Sequence, residues 1–126
     1  MITKEITLCG KQVTLGYCFA TEIGYKELTD ENIMDFLKEA IPAIQGNQTP
    51  DAMKVIKFII ASMISYYESK GEKAPIEDKD LMYDATSEEL GLALGTIIGL
   101  RAEFYHIPTG EPESKKKEDD GDAKND

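Results

Sequence analysis

Apolar residues recur at helical spacing over most of this chain and alternate only near its start. The longest helical pattern covers residues 51–70, DAMKVIKFIIASMISYYESK. Ala52, Ile56, Ile59, Ile60, Met63 and Tyr67 form one stripe at the 3.6-residue period. Val55, Phe58 and Tyr66 widen that stripe, and Met53 and Ile64 carry apolar surface beyond its edge. A helix apolar over most of its circumference needs neighbours on several sides, so this one is expected at the centre of the fold. Thr49 is the expected N-cap, Pro50 suits the first helical position, and Gly71 follows as a stop. At about 20 residues the helix would reach roughly 30 Å, a bilayer's hydrocarbon thickness. Lys54, Lys57 and Glu68 interrupt it, so the expectation is a core helix.

Residues 2–17, ITKEITLCGKQVTLGY, read as a β-hairpin. A two-residue turn at Gly10-Lys11 suits the type II′ need for glycine at the first central position. That turn pairs Cys9 with Gln12, Leu8 with Val13, Thr7 with Thr14 and Ile6 with Leu15. Leu8, Val13, Ile6, Leu15 and Tyr17 then share one face, which must rest on helices because an isolated hairpin is marginal. A short helix over 18–28 would turn Phe19, Ile23 and Leu28 inward, although Gly24 weakens it. Thr29 or Asp30 would cap a stronger helix over 30–45, with Ile33, Phe36, Leu37, Ala40, Ile41 and Ile44 as its stripe and Pro42 as a late kink or stop. A short acidic helix is expected around 77–83. Thr86 and Glu89 form a capping box that opens a last helix to about Tyr105, with Leu90, Ala93, Leu94, Ile97, Ile98 and Phe104 as its stripe.

The predicted fold class is therefore α+β, mainly α. An N-terminal β-hairpin packs on a bundle of four to five helices, in one domain over residues 1–110. Residues 111–126, EPESKKKEDDGDAKND, hold no large apolar residue, seven acids and four lysines, and read as a disordered, charged tail.

Gly91, Gly95 and Gly99 recur every fourth residue of the last helix and so line one side of it. Together they forfeit roughly 2–3 kcal/mol of helix propensity relative to alanine. Two readings account for them: a close internal approach to the central helix, or a groove that receives a partner's helix.

Charge narrows the choice of partners. With 24 acids against 14 lysines and arginines the net charge is −10, which repels nucleic acid and anionic lipid. Neither is an expected partner. MITKEITL lacks the basic and apolar regions of a secretory signal, so a cytoplasmic protein is expected. The hairpin separates Cys9 and Cys18 by about six strand residues, or roughly 20 Å, too far for a disulfide. Free thiols are expected.

Candidate chemistry is sparse. Asp78, Asp80, Asp84 and Glu89 match positions of a calcium loop, but Met82 and Tyr83 occupy the positions that need a ligand and a glycine. The only histidine, His106, follows the last helix, where it would face solvent and interact with the negative end of the dipole. No nucleophile–base spacing, phosphate-binding glycine loop or CxxC is present. The sequence leads us to expect no catalysis, no cofactor and no metal.

One ordered pattern remains. ITLCGKQVTLGYCF opens the chain, a helical middle follows, and FIIASMISYYESKGEKAPIEDKDLMYDATSEELGLALGTIIGL closes the domain. This succession resembles the tail assembly chaperones of long-tailed bacteriophages and prophages over residues 1–110. The resemblance implies a non-enzymatic factor of the bacterial cytoplasm that covers the helical tape-measure protein, helps recruit tail tube subunits, and is absent from the finished virion. It also implies that a ribosomal frameshift can append a second domain, for which the codons of Lys115-Lys116-Lys117 offer a slippery stretch. Self-association is open. The residues themselves suggest Gly91, Gly95 and Gly99 on the last helix, and the pair Tyr66 and Tyr67, as the client-binding surface. A structural tail or head–tail joining component, and a small acidic regulator that sequesters a basic partner, are the alternatives.

Overall fold

The hairpin turn sits one residue earlier than its sequence suggests. In the computed structural model, which describes residues 1–108, β1 (Ile2–Leu8) pairs antiparallel with β2 (Lys11–Tyr17) across a Cys9-Gly10 turn. Cys9 (φ 53°) and Gly10 (φ 77°) both take positive φ, the pattern of a type I′ turn. The register becomes Leu8–Lys11, Ile6–Val13, Lys4–Leu15 and Ile2–Tyr17, two residues away from the expected one. This pairing uses all seven residues of each strand, whereas a Gly10-Lys11 turn would set Ile2 against Phe19, where the chain is already helical. A shift of two preserves the side-chain alternation, so Leu8, Val13, Leu15 and Tyr17 are buried as expected. The Cys9 turn is pinned from outside: its N–H donates to Glu89 Oε2 (3.1 Å) and its thiol to the Asp80 carbonyl (3.5 Å).

Five helices follow: α1 (Phe19–Thr29), α2 (Ile33–Gln45), α3 (Ala52–Ser69), α4 (Asp78–Asp84) and α5 (Ser87–Tyr105). The fold is thus mainly helical with an N-terminal hairpin. Asp30, expected as a possible N-cap of α2, instead closes α1 in the left-handed conformation, and Asn32 caps α2 by accepting from the Met34 N–H (2.8 Å). Pro42 lies within α2 and does not end it, since its exposed position lets water reach the carbonyl it leaves unpaired. Ile44, expected inside, is exposed. Asp51, rather than Thr49, caps α3, accepting from the Lys54 N–H at 3.2 Å. The Thr86–Glu89 capping box opens α5 as its sequence predicts.

α3 is the centre of the domain. It packs on α1 and β2 and touches α4 and α5, while α5 also supports both strands. Tyr17, Tyr25, Phe36 and Phe58 bring β2, α1, α2 and α3 into one aromatic cluster, with Tyr25–Phe36 at 5.3 Å and Phe36–Phe58 at 5.5 Å. Such spacings are favourable for edge and tilted ring pairs. Polar side chains seal the α3 edge of β2. The Gly16 carbonyl accepts from Ser62 Oγ (2.8 Å) and Thr21 Oγ1 (3.2 Å), and the Thr14 N–H donates to the Tyr67 hydroxyl (3.0 Å). The charged tail expected over 111–126, the domain boundary expected at 110 and the lysine run lie outside the described residues.

Candidate functional site

α1 places its apolar residues the wrong way round for a core helix. Phe19, Ile23 and Leu28 were expected inward, yet they are 62%, 59% and 40% exposed, while Thr21 and Tyr25 are buried. Hydrogen bonding decides this orientation. The Thr21 hydroxyl serves the Cys18 N–H (3.2 Å), the Gly16 carbonyl and Ser65 Oγ (2.8 Å), and the Tyr25 hydroxyl donates to Glu31 Oε1 (2.8 Å). Leaving such buried polar groups unpaired costs about 1–3 kcal/mol each, comparable to what the burial of an isoleucine gains. Gly24 faces Ala61 of α3: a Cβ there would lie 3.6 Å from the Ala61 Cβ, an ordinary contact distance. With that contact fixed, residues 19 and 23 face solvent.

Two adjoining grooves lie beside this exposed face. One, of about 350 Å³, runs between α1 and α3, lined by Ala20, Ile23, Gly24, Leu28, Ala61 and Ile64 with Glu27 and Glu68 at its rim. The second, of about 610 Å³, continues between α3 and the 72–78 segment over Ile60, Met63, Ile64, Tyr67, Ala74 and Ile76. Leu28, Ile64 and Glu68 belong to both, so the two form one continuous surface. Its rim carries Glu27, Glu68, Glu72 and Glu77 against a single lysine, Lys73. Among the described residues the ion pairs are Lys54 with Glu31 and Glu39, and Lys57 with Asp78. None of the four rim glutamates is in an ion pair there. Asp78 is, and its hydrogen bond with Lys57 holds its carboxyl below the usual range.

The sequence-derived candidates fall in different places. Gly91, Gly95 and Gly99 occupy the solvent face of α5, and a Cβ at any of them would meet nothing within 4 Å. Close packing of the glycines against α3 is therefore ruled out; the buried face of α5 is Ala93, Leu94, Ile97 and Leu100. Gly91 borders a separate groove of about 260 Å³ with Ile44, Val55, Leu90 and Leu94. Tyr66 covers Gly16, where a Cβ would approach the Tyr66 Cβ to 3.1 Å, so this residue holds the hairpin. Tyr67 stands perpendicular to Tyr66 at 4.9 Å, bonds to β2 and also lines the larger groove. The glycines and the tyrosine pair do not meet in one groove. Ile23 and Leu28 are surface residues that the helical period assigns to the core, whereas Ile64 lies beyond the central stripe, where its apolar surface is expected.

The polar clusters elsewhere serve packing. Glu22 Oε2 accepts from both Tyr17 and Tyr105 hydroxyls at 2.7 Å. Burial, reinforced by Glu22, raises the Tyr17 phenol far above its ordinary range, so it stays protonated. Cys9 and Cys18 are free thiols, and burial raises that of Cys9. Among the described residues no group of three His, Cys, Asp or Glu side chains is arranged to hold a metal, and no helix is long and apolar enough to cross a membrane. His106 is the left-handed C-cap of α5 and is exposed. No protein-family model, no curated protein and no solved structure matches the chain.

Proposed function

We propose that this chain is a non-enzymatic tail assembly chaperone of a phage or prophage, acting in the bacterial cytoplasm. It would hold the helical tape-measure protein and help recruit tail tube subunits. The observation that supports this reading most is the outward turn of α1, which leaves Ile23 and Leu28 beside Ile64 on an open groove. Burying apolar surface returns roughly 25 cal/mol per Å², so a site of this kind favours an amphipathic helix, the form a tape-measure protein presents repeatedly. Several copies on one long client gain affinity through avidity while each contact stays reversible. Reversibility is what an assembly factor needs.

The test is co-expression with a tape-measure protein, which this reading expects to be encoded beside the chain. The expected result is a client that stays in the supernatant and co-purifies with this chain, and purified tails that lack it. A client that precipitates equally with and without the chain refutes the chaperone function. Recovery of the chain in stoichiometric amount from finished tails would make it a structural component instead.

A further inference from the structure

We propose that the groove formed by α1, α3 and the 72–78 segment docks an amphipathic helix whose apolar stripe is flanked by lysine or arginine. The floor is apolar and partly open: Ile64 is 36% exposed, and Leu28 and Ile64 join the two halves. From Ile60 to Glu68 the α3 wall extends about 12 Å, at 1.5 Å rise per residue. That length accommodates about two turns of an incoming helix.

The rim decides the chemistry of the occupant. Glu27, Glu68, Glu72 and Glu77 surround the floor without ion-pair partners among the described residues, and Lys73 is the one cation at the groove. An occupant with flanking carboxylates would meet four like charges, whereas flanking ammonium or guanidinium groups would meet four opposite ones. The same argument disfavours a second copy as occupant, because a chain of net charge −10 brings more acid to an acidic rim. The 72–78 wall is short and polar, and it follows Gly71 at φ 70°, which ends α3 and lets the chain turn across it. In its biological meaning this inference rests on the client-binding function proposed above, since it names the chemistry of the client segment.

The experiment uses the full chain and two synthetic 18-residue helical peptides with an identical leucine stripe, one flanked by lysine and one by glutamate. Binding is read by fluorescence anisotropy at low and moderate salt. The lysine peptide should bind at least about tenfold tighter than the glutamate peptide, with affinity falling as salt rises. Leu28→Gln with Ile64→Gln, at positions already exposed, should weaken the lysine peptide about tenfold or more with an unchanged Tm. Glu68→Lys with Glu72→Lys should reverse the preference between the peptides. Equal binding of both peptides, binding of neither, or full binding by the Leu28→Gln/Ile64→Gln variant overturns the proposal. So does a concentration-dependent dimer that this variant dissolves, which would put a second copy in the groove. Capture of the tape-measure protein by the same variant at full strength would refute the groove and leave the chaperone function standing. Peptide binding as expected with no capture of the tape-measure protein would do the reverse.

Discussion

Replacing Thr21 tests the argument that polar satisfaction sets the orientation of α1. Thr21, Ser62 and Ser65 are buried; besides accepting from the Cys18 N–H at Thr21, their hydroxyls make four contacts: Thr21 with Gly16 O and with Ser65 Oγ, Ser62 with Gly16 O, and Ser65 with Ser62 O at 2.9 Å. Three hydroxyls supply three protons, so the network has two arrangements. Either Ser65 donates to Thr21 and Thr21 to Gly16, or Thr21 donates to Ser65 and Ser65 to Ser62. In both, the Gly16 carbonyl keeps its bond from Ser62. Ser62→Ala should therefore be mild, about 1 kcal/mol, because the Thr21 proton can turn to Gly16. Thr21→Val should cost about 1–2 kcal/mol, a fall of roughly 5–10 °C in Tm for a domain of this size. The double variant removes every side-chain donor to Gly16 and should cost about 1–2 kcal/mol more than the sum. Urea unfolding followed by circular dichroism gives each value, with an unchanged m showing that the unfolded state is the same. Additive costs within about 0.5 kcal/mol would mean the hydroxyls act independently, and the orientation of α1 would need another cause.

Gly95→Ala should stabilise the chain by about 0.5–1 kcal/mol in the same assay, since the added methyl meets open space and improves helix propensity. Gly16→Ala should destabilise by about 1–3 kcal/mol, because its Cβ would lie 2.7 Å from Met1 Sδ and 3.1 Å from the Tyr66 Cβ, and only the methionine moves easily. Asp51→Ala should cost about 1 kcal/mol by removing the α3 cap, while Thr49→Ala should stay within about 0.5 kcal/mol. Stability should also fall at alkaline pH: burial, together with the Glu22 and Glu31 hydrogen bonds, raises the Tyr17 and Tyr25 phenols well above their ordinary value. Unfolded phenols ionise near pH 10 while the folded ones keep their protons, so the unfolded state binds fewer protons and stability declines as pH rises through about 10. Tyr25→Phe should flatten that decline in chemical unfolding measured across the range.

Where burial follows hydrophobic period, the sequence was sufficient. The stripe of α2 as far as Ile41, that of α3 from Ile56 onward, the capping box of α5 and the apolar face of the hairpin are visible as spacing, while Ile44 and Ala52 at the stripe ends are exposed. Spacing does not resolve choices between near-equivalent local options. Gly10 suits either a type II′ turn with Lys11 or a type I′ turn with Cys9, and only the end of β2 at Tyr17, where α1 begins, selects the second. Asp51 and Thr49 are both good caps, and geometry selects the aspartate. The candidate site was hidden for a different reason. Period alone cannot tell an apolar face that meets the core from one that meets solvent, and in α1 Thr21 and Tyr25 win the inward side through hydrogen-bond partners that period does not encode: Ser65, distant in sequence, for Thr21 and the nearby Glu31 for Tyr25. Glycine spacing could not choose between packing against α3 and facing outward, since a stripe that meets nothing within the fold has the same sequence as one that packs.

The inverted polarity of α1 therefore joins stability and binding in one set of residues. The hydroxyl of Thr21 ties α1 to β2 and α3, and that attachment is what turns Phe19 and Ile23 outward. Phe19 is not left bare, since it stacks edge-on with Phe104 at 5.1 Å, so the far end of the strip is held while Ile23 and Leu28 stay free above the groove. A chain selected only for stability could place small polar residues at 23 and 28 without disturbing a single hydrogen bond of the network. Substituting Ile23 and Leu28 by glutamine should accordingly leave the urea midpoint unchanged while removing affinity for a helical client. Were both substitutions to lower the midpoint as strongly as a core deletion, about 2–5 kcal/mol, these residues would be part of the core and the groove would lose its floor.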